Sequence, residues 1–228
     1  MTAELQRIEY EQFVAALART GHRLDAPAYE RPWTHYTELV RWNRRLSLIG
    51  PGTFDDVVER HYGESLAALA LLEPDDSSLV DLGSGAGFPG FVLAAARPDL
   101  DVTLVEARQK KWSFLSLVCQ KAALPCHCLG ARVTMSFPDG FPQRMDLITT
   151  RAVKFSADEI EALAGRLTPT GRILAWVGSS TPAAFASLRP GGEVALGESR
   201  SRRILELFPS RGEESPRGVG PKAEEPHS

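Results

Sequence analysis

The spacing of apolar residues divides the chain into a helical N-terminal part and a part in which short apolar runs alternate with amphipathic segments. Apolar residues recur at helical intervals over residues 3–20, 27–46 and 53–72, which predicts three helices. After residue 77 the predicted strands cover 78–82, 102–106, 126–129, 145–149 and 172–177, and the predicted helices cover 88–97, 108–124 and 156–166.

Alternating strands and helices are typical of an α/β protein with a doubly wound, mainly parallel sheet. Residues 193–196 and 203–208 are expected to form a closing antiparallel pair. We therefore predict an N-terminal helical extension over 1–72 that caps the core, and an α/β domain over 73–208. Residues 209–228 are rich in Pro, Gly, Glu, Arg and Ser, which predicts a disordered tail.

A glycine turn stands between the first predicted strand and its helix, in the segment Asp81-Leu82-Gly83-Ser84-Gly85-Ala86-Gly87-Phe88. A dinucleotide fingerprint would need a third glycine where Phe88 stands, and the lysine of a phosphate loop is missing. The remaining pattern resembles the first motif of class I S-adenosylmethionine methyltransferases. Bare backbone from Gly83 to Gly87 allows close approach of a ligand, and Asp81 suits a cationic amino-acid end, directly or through water. The alternative is a glycine turn that only joins a strand to a helix.

A second acidic residue, Glu106, ends the next predicted strand, about 20 residues beyond the glycine turn. An acidic residue at this place binds ribose hydroxyls in nucleotide-binding α/β folds. The alternative is a solvated glutamate that caps the following helix.

Composition excludes several classes of protein. Hydrophobic residues make up 43% and charged residues 24% of the 228 residues, as in ordinary globular proteins. The net charge of −3 argues against a generally basic nucleic-acid binder. The three cysteines are too few for a disulfide framework and indicate reduced thiols in the cytoplasm, and we expect no metal site. We also expect no membrane span and no signal peptide.

Several stretches together resemble the bacterial small-subunit ribosomal RNA methyltransferase G family, also called glucose-inhibited division protein B. The resemblance covers about residues 35–180 and is strongest in the glycine turn, which ends in Phe88-Pro89-Gly90. It includes, in chain order, Trp42-Asn43, Arg60-His61 with Ser65, Glu106 with Lys110-Lys111, and Thr150-Arg151-Ala152.

The resemblance implies methylation of guanine N7 in 16S ribosomal RNA, with S-adenosylmethionine as the cofactor and the small ribosomal subunit as the partner of a monomeric, cytoplasmic enzyme. It implies that Gly83 and Phe88 line the cofactor and that Arg151 lies where cofactor and RNA meet. From the bare backbone of the turn we expect Gly85 and Gly87 beside the cofactor as well. Val133 and Thr134 are expected beside the adenine. The sequence departs from the family at Thr134, where an acidic residue is expected, and at Val177-Gly178, where a lysine and a glycine are expected.

Guanine N7 carries an in-plane lone pair and no proton, so its methylation needs alignment rather than a general base. This agrees with a sequence that offers no obvious catalytic dyad. For RNA we expect contacts from Arg60, His61, Arg108, Lys110, Lys111 and Arg151.

Each of these contacts has a simpler alternative. Arg151 could instead pair with Asp146 or Glu159, the cations at residues 108–111 could form a solvated helix end, and His61 could be a hydrogen-bonded core residue. For the whole chain, the alternatives are a methyltransferase of the same fold that acts on another RNA or a small molecule, and a non-catalytic binding module.

Overall fold

The computed structural model describes residues 5–22, 24, 26–197 and 201–210. Within these residues a seven-stranded sheet has the order β3-β2-β1-β4-β5-β7-β6. The strands are β1 (Ser78–Leu82), β2 (Asp101–Val105), β3 (His127–Leu129), β4 (Met145–Arg151), β5 (Leu167–Val177), β6 (Leu188–Leu196) and β7 (Arg202–Pro209). Strands β1 to β5 pair in parallel, and β7 runs antiparallel to both β5 and β6. The predicted doubly wound sheet and its antiparallel closing pair are confirmed.

Three helices follow the strands β1, β2 and β4, as the alternation predicted. They are α5 (Gly90–Ala96), α6 (Gln109–Lys121) and α7 (Ala157–Ala164). Strand β5 begins five residues before the predicted start at residue 172. Its first half includes exposed Pro169 and Thr170, so this part of the strand lacks the apolar run from which a buried strand is predicted.

The N-terminal part begins with helix α1 (Tyr10–Arg19), which is shorter than the predicted helix over residues 3–20. Glu9 and Gln12 form a capping box, which fixes the first turn at this point. Helix α2 (Glu30–Leu46) follows a 3-10 turn over Ala26–Tyr29. Residues 3 and 4 of the predicted first helix lie outside the described residues.

The prediction of one regular helix over residues 53–72 is wrong. The chain forms a short helix α3 (Phe54–Val57), a π-helical segment (Val58–Gly63), one turn α4 (Glu64–Leu66) and a 3-10 helix (Ala67–Leu71). A Cβ atom on Gly63 would lie 2.9 Å from Cγ2 of Thr20, so the glycine lets this region pack closely against the end of α1. Apolar spacing cannot distinguish these helix types, because the π segment changes the spacing by only one residue in a turn.

The cap and the sheet share one hydrophobic core. Phe13 and Leu17 of α1, Tyr36 of α2 and Tyr62 of the π segment belong to the same buried cluster as Phe91 of α5. A second cluster covers the opposite face of the sheet and contains Val80, Ile148 and Ile173. The cap is therefore held against α5 and the adjacent face of the sheet by extensive apolar burial.

None of the helices in the described ranges combines the length and the apolar character that crossing a membrane requires. Of the predicted tail, Pro209 ends β7 and residues 211–228 lie outside the described part of the chain.

Candidate functional site

An open cleft of about 580 Å³ lies at the carboxyl ends of β1, β2 and β4. Ligands of open α/β sheets bind at this edge, where helices on the two faces of the sheet diverge. A cavity of similar size, about 570 Å³, lies between α1 and the end of β6. We assign function to the first cleft because it contains the glycine turn and most of the polar residues that the sequence singled out.

The glycine turn forms the floor of this cleft. The N–H groups of Gly83 and Ser84 both donate to the Val105 carbonyl, which joins the turn to the end of β2. Gly83, Gly85 and Gly87 all have positive φ angles (71°, 59° and 102°), a conformation that glycine adopts without strain. A Cβ atom on Gly83 would clash with Cγ2 of Val153, so a side chain there would displace Val153.

The two acidic strand ends have different surroundings. Asp81 is fully buried, and its carboxylate accepts hydrogen bonds from Thr149 Oγ1 at 2.7 Å and from the Gly90 N–H at 3.2 Å. Burial raises the pKa of Asp81 to about 6 against the lowering effect of these bonds. We expected Asp81 to face the ligand, but its side chain does not line the cleft, because the hydrogen bonds turn it towards the start of α5 and towards β4.

Glu106, at the end of β2, does line the cleft. Its two carboxylate oxygens accept from the Gly85 N–H at 2.9 Å and from the Arg108 N–H at 2.7 Å. A carboxylate offers about four lone-pair positions, so each oxygen can accept a further hydrogen bond from a ligand hydroxyl.

Arg151, at the end of β4, brings a positive charge to the cleft. Its Nη2 lies 2.8 Å from Oε2 of Glu64 and donates to the Arg60 carbonyl at 2.8 Å. The alternative pairings of Arg151 do not occur, because Asp146 binds Ser77 and Ser78, and Glu159 caps α7. Glu64 is itself buried, and it lies 2.8 Å from Arg202 Nη2 of β7.

Burial lowers the pKa of Arg151 and the Glu64 carboxylate opposes this, but an arginine stays protonated at neutral pH. The Nη1 atom of Arg151 is buried and has no hydrogen-bond partner among the described residues. A buried donor without a partner at the wall of a cleft suits an acceptor atom of a ligand.

His61 also lines the cleft, from the π segment. Its ring stacks on Phe88 with a centroid distance of 4.9 Å and an interplanar angle of 26°. Burial, together with nearby Arg151 and Arg60, lowers the pKa of His61 to about 3. The ring is therefore neutral at pH 7 and too weakly basic to accept a proton readily.

The structure brings together most but not all of the residues singled out from the sequence. Those that line the cleft are Gly83, Gly85, Phe88, Glu106, Val133, Arg151, His61, Arg108 and Lys111. Those that do not are Asp81, Gly87, Thr134, Arg60 and Lys110. Gly87 faces the cap, where its Cβ would lie 3.1 Å from His35 Nε2, and the Thr134 hydroxyl is engaged with Ser136. The Arg60 side chain does not line the cleft, but its carbonyl accepts a hydrogen bond from Arg151. Lys110 is exposed and directly precedes Lys111 in the chain.

Sequence reasoning missed the wall that the cap contributes. Leu48 and Ile49 line the cleft, and Asn43 holds this segment by accepting the Ile49 N–H at 2.9 Å. The Leu48 carbonyl in turn accepts from Lys111 Nζ at 3.2 Å. The Trp42-Asn43 pair was noted as a motif, and its asparagine was the signal that could have located this wall.

These features fit S-adenosylmethionine. Its ribose hydroxyls suit the remaining acceptor positions of Glu106, and its carboxylate suits a donor such as the unpartnered Nη1 of Arg151. The bare backbone at Gly85 leaves room for the ligand, since a Cβ there would have its nearest neighbour at 3.7 Å.

Strand order and cleft position together define the fold of class I S-adenosylmethionine-dependent methyltransferases. A SAM-dependent methyltransferase from Aquifex aeolicus shares this fold, with a TM-score of 0.52 at 13% identity, over 67% of this chain and 92% of that one. The ribosomal protein L11 methylase of Lactobacillus delbrueckii subsp. bulgaricus superposes with a TM-score of 0.51 at 14% identity, over 67% of this chain and 79% of that one.

Sequence comparison gives the family. Residues 31–189 match the family described as GidB, rRNA small subunit methyltransferase G. The ribosomal RNA small subunit methyltransferase G of Desulfotalea psychrophila is 34% identical over 213 residues, which is 90% of this chain and 94% of the relative. The ribosomal RNA small subunit methyltransferase G of Syntrophotalea carbinolica is 31% identical over 210 residues, which is 86% of this chain and 96% of the relative. The chain belongs to the rRNA small subunit methyltransferase G family and is an S-adenosylmethionine-dependent methyltransferase.

Proposed function

We propose that this protein methylates N7 of a guanine in 16S ribosomal RNA, as a monomer acting on the RNA of the small subunit in the cytoplasm. The observation that carries the proposal is the composition of the cleft. The cleft is lined by the Glu106 carboxylate and the bare backbone of Gly83 and Gly85, by the cations Arg108, Lys111 and Arg151, and by weakly basic His61.

S-adenosylmethionine, when bound, supplies an electrophilic methyl group on a sulfonium. Glu106 would accept its ribose hydroxyls, and the backbone from Gly83 to Gly85 would lie against it. Arg151 would hold either its carboxylate or an acceptor on the RNA, since Nη1 is free for this purpose. Glu64 keeps the guanidinium in place by pairing with its other nitrogen.

The chain's residues suit an acceptor atom that has no proton to lose. Guanine N7 already presents a lone pair, so alignment and exclusion of water supply most of the rate enhancement. The polar side chains near the opening fit this requirement, because Glu106 and Glu159 already accept backbone N–H groups and His61 has a pKa of about 3. A cationic side chain can also bind the O6 and N7 edge of guanine or a neighbouring phosphate.

The decisive experiment maps modified nucleosides in 16S RNA from strains with and without this protein. We expect one 7-methylguanosine to disappear in the deletion strain and to return with the wild-type gene. Unchanged 7-methylguanosine would reject the proposed substrate and favour another RNA or a small molecule.

Val177 supports a second candidate, a methyltransferase of the same fold that acts on another RNA or on a small molecule. The family pattern has a lysine at this position, whereas Val177 is buried in the core and pairs with Arg203 across β5 and β7. Purified protein that binds S-adenosylhomocysteine but does not transfer a labelled methyl group to small subunits or 16S RNA would support it.

A further inference from the structure

His35 of helix α2 connects the helical cap to the glycine turn. The side chain is fully buried, and its Nε2 lies 2.6 Å from the Ala86 carbonyl oxygen, in the middle of the turn. Its Nδ1 lies 2.6 Å from the hydroxyl of Tyr62, in the π segment. One imidazole therefore joins three separate parts of the chain.

The chemistry of the two partners assigns the direction of both hydrogen bonds. A carbonyl oxygen can only accept, so Nε2 carries the proton and donates to Ala86. In the neutral ring Nδ1 is then an acceptor, and the Tyr62 hydroxyl donates to it. Burial lowers the pKa of His35 to about 4, which keeps the ring neutral at pH 7.

The bond from His35 replaces a helical bond that the turn does not make. In a regular helix the Gly90 N–H would donate to the carbonyl of Ala86, four residues earlier. Here the Gly90 N–H donates instead to the Asp81 carboxylate, and the Ala86 carbonyl accepts from His35. Asp81 and His35 thus satisfy the two groups that a regular helix would have bonded to each other, so neither the Gly90 N–H nor the Ala86 carbonyl is left without a partner.

Close packing leaves the imidazole little freedom to move. Its ring lies 4.6 Å from that of Phe91 and 5.1 Å from that of Phe88 (centroid distances). A Cβ atom on Gly87 would lie 3.1 Å from Nε2, so the glycine allows the ring to reach the backbone. Tyr62 also contacts Phe88 edge-on, with a centroid distance of 5.0 Å.

We propose that His35 and Tyr62 form a positioning pair through which the helical cap holds the glycine turn in its ligand-binding conformation. This inference rests on the proposed function, because the turn is assumed to be the floor of the cofactor site. Neither residue lines the cleft, so both act through the Ala86 backbone rather than by contact with a ligand.

The test compares two tyrosines of the same core. Tyr62→Phe removes the hydroxyl that bonds His35. Tyr36→Phe is the matched control, because Tyr36 is also buried and donates a single hydrogen bond, to the Gln6 carbonyl at 2.7 Å, but its hydroxyl does not reach the turn. We expect similar losses in the midpoint of urea unfolding for the two variants.

Binding of S-adenosylhomocysteine, measured by calorimetry, should separate the two tyrosines. We expect the dissociation constant to rise about threefold for Tyr62→Phe and to stay within experimental error for Tyr36→Phe, since one net hydrogen bond corresponds to roughly a twofold to tenfold change. His35→Leu, which leaves the Ala86 carbonyl without its donor, should raise it about tenfold. His35→Gln keeps an N–H donor and should recover much of the affinity.

Hydrogen exchange of the unliganded protein provides a readout that does not depend on any ligand. Amides of residues 84–90 should exchange faster in Tyr62→Phe and His35→Leu than in wild type and in Tyr36→Phe. If both tyrosine variants leave affinity and exchange unchanged, or change them equally, the positioning role is rejected. If wild type fails to bind S-adenosylhomocysteine, the proposed function fails, and the exchange rates alone decide whether the pair positions the turn. If His35→Leu does not fold, the comparison of Tyr62→Phe with Tyr36→Phe decides it.

Discussion

The ends of strands β1 and β2 place similar acidic side chains beside the same glycine turn and use them differently. Asp81, at the end of β1, is fully buried and bonded to Thr149 and to the Gly90 N–H. Glu106, at the end of β2, lines the cleft and bonds two backbone N–H groups at its edge. One carboxylate shapes the site from within the fold, whereas the other is available to a ligand.

The difference teaches that a motif position does not by itself assign a side chain to the ligand. Asp81 is short and lies where β1 passes between β2 and β4 at the centre of the sheet, so the nearest donors belong to the protein itself. Glu106 is longer by one methylene and stands where the chain leaves the sheet, so it reaches the opening. The same comparison can be tested by variants of each residue.

The largest expected effect is on stability, at β1. Asp81→Ala leaves the Gly90 N–H and the Thr149 hydroxyl without their partner in a fully buried place, which should lower the free energy of unfolding by about 3 kcal/mol. The measurement is urea unfolding at pH 7. Glu106→Ala is the control and should cost about 1 kcal/mol, because water in the cleft can replace the lost acceptor. Equal losses would contradict the assignment of Asp81 to the fold and Glu106 to the cleft.

The second effect concerns binding, at β2. Glu106→Gln should weaken the binding of S-adenosylhomocysteine about tenfold, or about 1.4 kcal/mol, because a charged acceptor for the ribose hydroxyls becomes neutral. Asp81→Asn should change the same constant less than about threefold if the variant folds, since the Asp81 side chain does not line the cleft. Calorimetry measures the dissociation constant of S-adenosylhomocysteine for both variants. A larger loss of affinity for Asp81→Asn than for Glu106→Gln would reverse the proposed roles.

The third effect is a pH dependence that belongs to Asp81. Its folded-state pKa of about 6 lies above the ordinary value of 3.8, so the folded state binds the proton more tightly than the unfolded state. Wild type therefore gains stability from this residue as the pH falls from 7 to 5, by about 1 kcal/mol. The difference in unfolding free energy between wild type and Asp81→Asn should shift by that amount in favour of wild type.

Using a difference removes the contributions of other groups, such as His35 and His61, which stay neutral in the folded protein over this range but take up protons once the chain unfolds. A wild-type minus variant difference that stays constant between pH 5 and pH 7 would show that the Asp81 carboxylate does not titrate in this window.

The smallest effect concerns the two lysines that follow β2. Lys111 lines the cleft and contacts the Leu48 carbonyl, whereas Lys110 is exposed outside it. We expect Lys111→Met to weaken binding of 16S RNA by about twofold to fivefold, which is the size of effect expected from removing one surface charge near a phosphate. Lys110→Met should weaken this binding by less than about twofold. Filter binding at several salt concentrations measures both. A greater loss of RNA affinity for Lys110→Met than for Lys111→Met would place the RNA on the outer face of α6 instead.

Much of the architecture could be predicted from the sequence because it depends on local pattern. The apolar runs of β1 and β2, the glycine turn between Asp81 and Phe88, and the amphipathic spacing of α6 carry their own signals. The helix over 53–72 could not be predicted correctly, because its π segment packs through Gly63 against Thr20 at the end of α1, a contact between segments that apolar spacing does not reveal. The start of β5 was also missed, since exposed Pro169 and Thr170 leave no apolar run there, although Leu167 pairs with Met145 of β4.

For the candidate site, the residue types were evident but their partners were not. The chain order alone determined that acidic residues end two strands and that glycines and cations follow them. Only the tertiary structure decided that Asp81 turns inwards, that Arg151 pairs with Glu64, 87 residues away in the chain, and that His35 reaches the Ala86 carbonyl from the cap. The physical reason is that hydrogen bonds between distant segments depend on how the cap packs against the sheet, which local periodicity does not encode.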